Sequence, residues 1–132
     1  MVNQQLHQIY QQNSVSTASP GELTLMLYNG CLKFLNKGKQ AIKENNIQER
    51  NINLQKAQRI IQELMVTLDQ KYEVAHQMMA MYEYMNRRLV EANVTNNIAI
   101  VEEVEGFMTE FRDVWKEVIR LNRQKQFKGD QA

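Results

Sequence analysis

The chain has 132 residues, 43% of them hydrophobic, and a net charge of +1, which is the size of a single domain with one real core. The near-balance of acids and bases leaves no electrostatic case for nucleic acid or an anionic membrane, and the lone cysteine, Cys31, excludes an internal disulfide. No run approaches the ~18 apolar residues of a membrane span, and the polar N-terminus lacks the apolar run of a signal peptide, so a soluble, cytoplasmic protein is expected.

Residues 1–19 are rich in Gln, Asn and Ser. Leu6, Ile9 and Tyr10 recur at helical spacing, which predicts a short, weak helix over 3–12. A helix this short must pack on something or fray. Asn13 to Ser19 reads as a connector of turn and cap residues.

The stretch from Thr17 to Tyr28 opens the next helix with several signals together. Ser19 can cap the free N–H groups, Glu22 can close a capping box, and Ala18 and Leu23 can staple the start. Pro20, the chain's one proline, suits the first helical position. The helix is expected to run from Pro20 to Asn45. It is apolar unusually far round. Leu23, Leu27, Gly30, Phe34 and Ala41 form one stripe, and Leu25, Tyr28, Leu32 and Leu35 a second. A two-sided helix is buried between neighbours, or covers a core on one side and holds a partner on the other.

Asn45 and Asn46 read as stop and restart, with Asn46 and Glu49 as a second capping box. The next helix is expected over 47–70. Ile47, Leu54, Ile61 and Leu68 fall seven apart with Ala57 and Leu64 between them, a bundle-like repeat. Asp69-Gln70-Lys71 is the expected turn. A third helix over 72–94 carries Ala75, Met78, Tyr82, Met85, Leu89 and Ala92 along one row. Asn93 and Asn96-Asn97 break it. A fourth, over 98–125, carries Val101, Val104, Met108, Phe111, Trp115 and Val118, with Ile100, Phe107, Val114 and Leu121 beside them. No segment alternates like a strand. Four long helices with short connections predict an all-α, antiparallel four-helix bundle over 20–125 with a short extra N-terminal helix. Residues 1–19 form a cap segment and connector, and 126–132 a flexible tail.

Catalytic chemistry is sparse. His7 and His76 have no cluster of ligands at metal spacing. Glu73-Val74-Ala75-His76 has the spacing of a bundle iron ligand pair, but no second copy exists. Cys31 reads as a small buried residue, and no glycine loop suits a phosphate. Neither cofactor nor metal is expected, and no enzyme activity. Eight methionines occur, with Met78, Met79, Met81 and Met85 on one helix. Methionine fills core gaps and also suits surfaces that adapt to an apolar partner. The residues alone describe a helical binding module with an apolar groove.

Several blocks carry a resemblance. Tyr10 to Val15 followed by Thr17 to Tyr28, then Lys56 to Leu64, Met81 to Asn93, and Val104 to Trp115 resemble, in order, the blocks of the flagellar secretion chaperone family, FliS. The resemblance implies a cytoplasmic export chaperone without catalytic activity. Such a protein holds the C-terminal segment of flagellin, prevents premature polymerisation and presents the subunit to an export-gate component. It also implies that the N-terminal segment, with Tyr10 at the matching position, lies over part of the groove and moves when flagellin binds. The expected partner-binding residues are Ile9, Tyr10, Leu25, Tyr28, Leu32, Met79 and Met81. The alternative is another regulatory or secretion adaptor on the same fold, since fold does not fix function.

Overall fold

A computed structural model describes residues 20–131, with side chains over 21–125. The expected Ser19 cap, the Ala18 staple and the short helix over 3–12 lie outside these residues. Four helices follow in order: α1 (Pro20–Lys43), α2 (Ile47–Thr67), α3 (Val74–Thr95) and α4 (Ile98–Gln131). Each packs against its neighbours in a ring, α1 on α2 and α4, and α3 on α2 and α4. This is the expected bundle.

Two asparagine pairs make two of the three connections. Asn45 takes a left-handed conformation with φ 56°. Its N–H reaches the Ile42 carbonyl at 3.1 Å, and the Asn46 N–H reaches Ala41 at 2.8 Å. That satisfies the carbonyls left open at the end of α1. The Asn46 side chain then accepts from the Glu49 N–H at 3.1 Å and starts α2. Only half of the expected capping box forms, because Glu49 Oε2 accepts from Asn53 Nδ2 instead. The second pair repeats the device. Asn96 has φ 54°, and Asn97 Oδ1 accepts from the Ala99 N–H at 3.0 Å to start α4. Asparagine suits both tasks, since it tolerates the left-handed region and carries a capping oxygen. The α2–α3 connection turns at Asp69, whose carboxylate accepts from the Lys71 N–H.

The core is filled by Leu27, Tyr28, Cys31 and Leu35 of α1, Leu54, Ala57, Ile60, Ile61 and Leu64 of α2, Tyr82, Met85, Leu89 and Ala92 of α3, and Val101, Val104 and Met108 of α4. On α1 the buried line runs between the two expected stripes. Leu23 and Phe34 of the first stripe are half-buried, whereas Tyr28 and Leu35 of the second are buried. The helix touches both α2 and α4, so its inward face spans both stripes. Ile47 is 66% exposed rather than in the seam, because it is the first residue of α2.

At Gly38 the α1 backbone comes so close to α2 that a Cβ would sit 2.6 Å from Leu54 Cδ2. On the other side, Tyr84 Oη donates to Glu103 Oε1 at 2.8 Å and Arg88 Nε donates to the same oxygen at 3.0 Å. These hydrogen bonds, Tyr84's first, hold the Glu103 carboxyl below its ordinary range. Continued along the register of these two contacts, the start of α3 at Val74 comes level with the turn of α4 from Asp113 to Glu117. Helix α4 therefore runs on without α3 beside it. Its seam is buried to Met108, half-buried at Phe111, Trp115 and Val118, and exposed at Leu121. The helix passes the expected end at 125 and runs to Gln131.

Candidate functional site

The uneven helix ends leave a cavity of about 560 Å³ at the end of the bundle where α1 begins. Gly21, Thr24 and Tyr28 of α1 form one wall, Met78 and Tyr82 of α3 another, and Trp115, Val118 and Asn122 of α4 a third. Thr67, Leu68, Asp69 and Tyr72 close it from the α2–α3 side. The lining is mainly apolar with a few polar groups, and the volume lies within the ~300–1,000 Å³ typical of binding pockets.

The aromatic residues of this region are fixed by mutual contacts. Tyr28 and Tyr82 share a hydrogen bond of 2.7 Å between their hydroxyls. Phe111 stacks on Tyr28 at a centroid distance of 6.3 Å and meets Tyr82 edge-on at 5.8 Å. Burial pushes both phenols above their ordinary range. Trp115 Nε1 donates to the Gly21 carbonyl at 2.8 Å and ties α4 to the first turn of α1. The nearby Cys31 is fully buried and its thiol is pushed up by desolvation, so it has the character of an inert core residue. Among the described residues no three His, Cys, Asp or Glu come together as a metal-binding group, and no helix is long and apolar enough to cross a membrane.

Tyr28 lines this cavity, but at 1% exposure it belongs to the core as much as to a surface. Leu25 faces elsewhere, into a second hollow of about 360 Å³ between α1 and α4 with Glu22, Lys116, Ile119, Arg120 and Arg123. Leu32 is half-buried against the core. Met79 and Met81 are half-buried and line neither hollow, whereas Met78 lines the larger one. Ile9 and Tyr10 lie outside the described residues. Sequence reasoning missed Thr24, Leu68, Tyr72, Trp115 and Val118 as cavity residues. One signal was available: the fourth helix is longer than the third, so its end has to overhang.

Comparison with known proteins agrees with this architecture. The family model described as flagellar protein FliS matches residues 2–122. The chain is 54% identical to a flagellar secretion chaperone FliS of Bacillus subtilis, over 93% of this chain and 92% of that protein. It is 40% identical to the protein of the same name in Escherichia coli, over 83% of each. A solved flagellar chaperone from bacteria superposes with a TM-score of 0.72, covering 89% of this chain and 98% of the other at 19% identity, which shows likeness of fold.

Proposed function

The chain belongs to the FliS family of flagellar secretion chaperones, and on that premise we propose that it holds the C-terminal segment of flagellin against the apolar end of its bundle. The family is one of chaperones rather than of enzymes. The observation that carries the finer reading is the mainly apolar cavity between α1, α3 and α4. A helix or extended segment with apolar side chains fits such a site, and filling it removes the cavity's surface from water. In this reading the complex forms in the cytoplasm, keeps flagellin from polymerising early, and delivers it to the export apparatus.

The N-terminal segment enters the proposal as a displaceable cover. It joins the bundle through Pro20, beside Gly21 on the cavity wall. Ile9 and Tyr10 would supply the apolar cover that flagellin replaces, and the packing given up in that exchange would subtract from affinity. Leu25, Leu32, Met79 and Met81 would extend the interface beyond the cavity.

Titration calorimetry of the full-length chain with a peptide of the flagellin C-terminal segment tests the reading. Val118→Glu puts an unpaired carboxylate into the cavity wall, where burial by a partner is costly. Val114→Glu, one turn away at 62% exposure, is the control. Saturable binding that Val118→Glu removes and Val114→Glu keeps supports the proposal. Absence of binding, or equal loss in both variants, overturns it.

A further inference from the structure

On the outer edge between α1 and α2, the half-buried ring of Phe34 is surrounded by three ammonium groups. Lys33 and Lys37 of α1 stand 5.8 Å from the ring centre and Lys56 of α2 stands at 5.2 Å. The ring face attracts each cation, but the three repel one another. No described carboxylate forms an ion pair with any of them. On α2 the nearest acids in line with Lys56 are Glu49 and Glu63, each two turns away, or about 10 Å along the axis. Glu49 accepts from Asn53 Nδ2. The chain's own ends supply little to neutralise the patch. Residues 1–19 contain no Asp or Glu, and 126–132 contain only Asp130.

We propose that this patch is a second docking surface, one that takes an acidic segment of a partner protein in which carboxylates flank an apolar side chain. The carboxylates would meet Lys33, Lys37 and Lys56, and the apolar side chain would rest on Phe34. Charge complementarity selects this occupant. An anionic bilayer is recruited by clusters of about four to eight basic residues, and duplex DNA by an extended run of phosphate contacts; three lysines around one ring are too compact for either. The patch also lies apart from the end cavity. Phe34 is six residues along α1 from Tyr28, the cavity residue of that helix nearest to it, which is about 9 Å at the helical rise and about a third of a turn round the helix, and the cavity touches α2 only at its last residue, Thr67. Both sites can therefore be filled at once.

The test uses the full-length chain and a synthetic peptide of repeated glutamate pairs separated by leucine and phenylalanine. A copy with glutamine for glutamate, a DNA duplex and phosphatidylserine vesicles serve as comparators. The acidic peptide is expected to shift the amide resonances of Lys33, Phe34, Lys37 and Lys56, with an affinity that falls as salt shortens the screening length. Joint substitution Lys33→Gln, Lys37→Gln and Lys56→Gln is expected to raise its Kd by about tenfold or more, the scale of one well-made charge contact or several exposed ones. Should that variant fail to fold, the resonance map and salt series on the native chain decide. Shifts elsewhere, an unchanged Kd, equal binding of the glutamine peptide, or tighter binding of duplex or vesicles would overturn the proposal. So would self-association that the triple variant abolishes, which would assign the patch to a second copy.

Discussion

The hydroxyl oxygens of Tyr28 and Tyr82 meet at 2.7 Å across 54 residues of sequence, and each residue is only 1% exposed. Each hydroxyl is the other's hydrogen-bond partner. Tyr82→Phe therefore leaves the Tyr28 hydroxyl buried and unmatched, at a cost of about 1–3 kcal/mol. Replacing both with Phe removes the unmatched group as well, so the double variant is expected to lose clearly less than the sum of the singles. Urea melts of the four proteins in a double-mutant cycle measure the difference. Additive losses would show that the two hydroxyls are not coupled.

The same burial makes stability sensitive to alkali. In the folded protein both tyrosines titrate above the ordinary phenol range, and Cys31 above the ordinary thiol range. Unfolded, these groups release protons near their ordinary values; folded, they keep them. The unfolded state then binds fewer protons, so stability falls as pH rises. The contribution is fully present below about pH 8 and is lost progressively above it, first from the thiol and then from the phenols. Thermal melts between pH 7 and pH 11 are expected to show this fall. The double Phe variant is expected to show a shallower one, and an identical slope would contradict the assignment.

Two helical glycines are expected to respond oppositely to alanine. A Cβ at Gly106 meets nothing within 4 Å, so Gly106→Ala is expected to stabilise by about 0.5–1 kcal/mol through helix propensity. At Gly38 the same gain is opposed by the contact with Leu54, which is itself 0% exposed and confined. Overpacking costs about 1–3 kcal/mol, so Gly38→Ala is expected to be net destabilising by about 1 kcal/mol. Chemical denaturation separates the two signs.

The asparagine pairs predict a division of labour. Asn46→Ala removes the oxygen that caps α2 and is expected to cost about 1 kcal/mol, while Asn46→Ser restores most of it. Asn45→Gly is expected to be neutral or stabilising, because glycine takes the left-handed turn without strain. Asn45→Val is expected to destabilise, since a β-branched residue resists that turn. Melting temperatures of these variants check the assignment.

Much of the fold is legible in the chain because its signals are local. Helical periodicity marks four elements, and Asn45-Asn46 and Asn96-Asn97 mark two of the breaks. What is not legible depends on which neighbour a face meets. The two stripes of α1 leave open whether the helix is buried between neighbours or holds a partner on one side, and in the structure Tyr28 and Leu35 of the second stripe are buried along with Leu27 and Ala41 of the first. The ring of contacts with α2 and α4 decides this, and no pattern within α1 reports it. The cavity is harder still to foresee. It exists because α4 overhangs α3, and Trp115 reaches it through a bond to Gly21, 94 residues away. No spacing rule carries such a pairing. Gly38 is equally silent, since its importance lies in how closely Leu54 approaches.

Trp115 has one more consequence. It is the chain's sole tryptophan, it stands on the cavity wall, and its indole N–H is held by the first turn of α1. The protein therefore carries a built-in optical probe, whose emission arises from a single place. A guest entering the cavity would change the polarity around that indole and displace its emission maximum. A guest on the Phe34 edge would leave the emission as it was. The two occupancies can thus be read independently in one cuvette, without attaching a label.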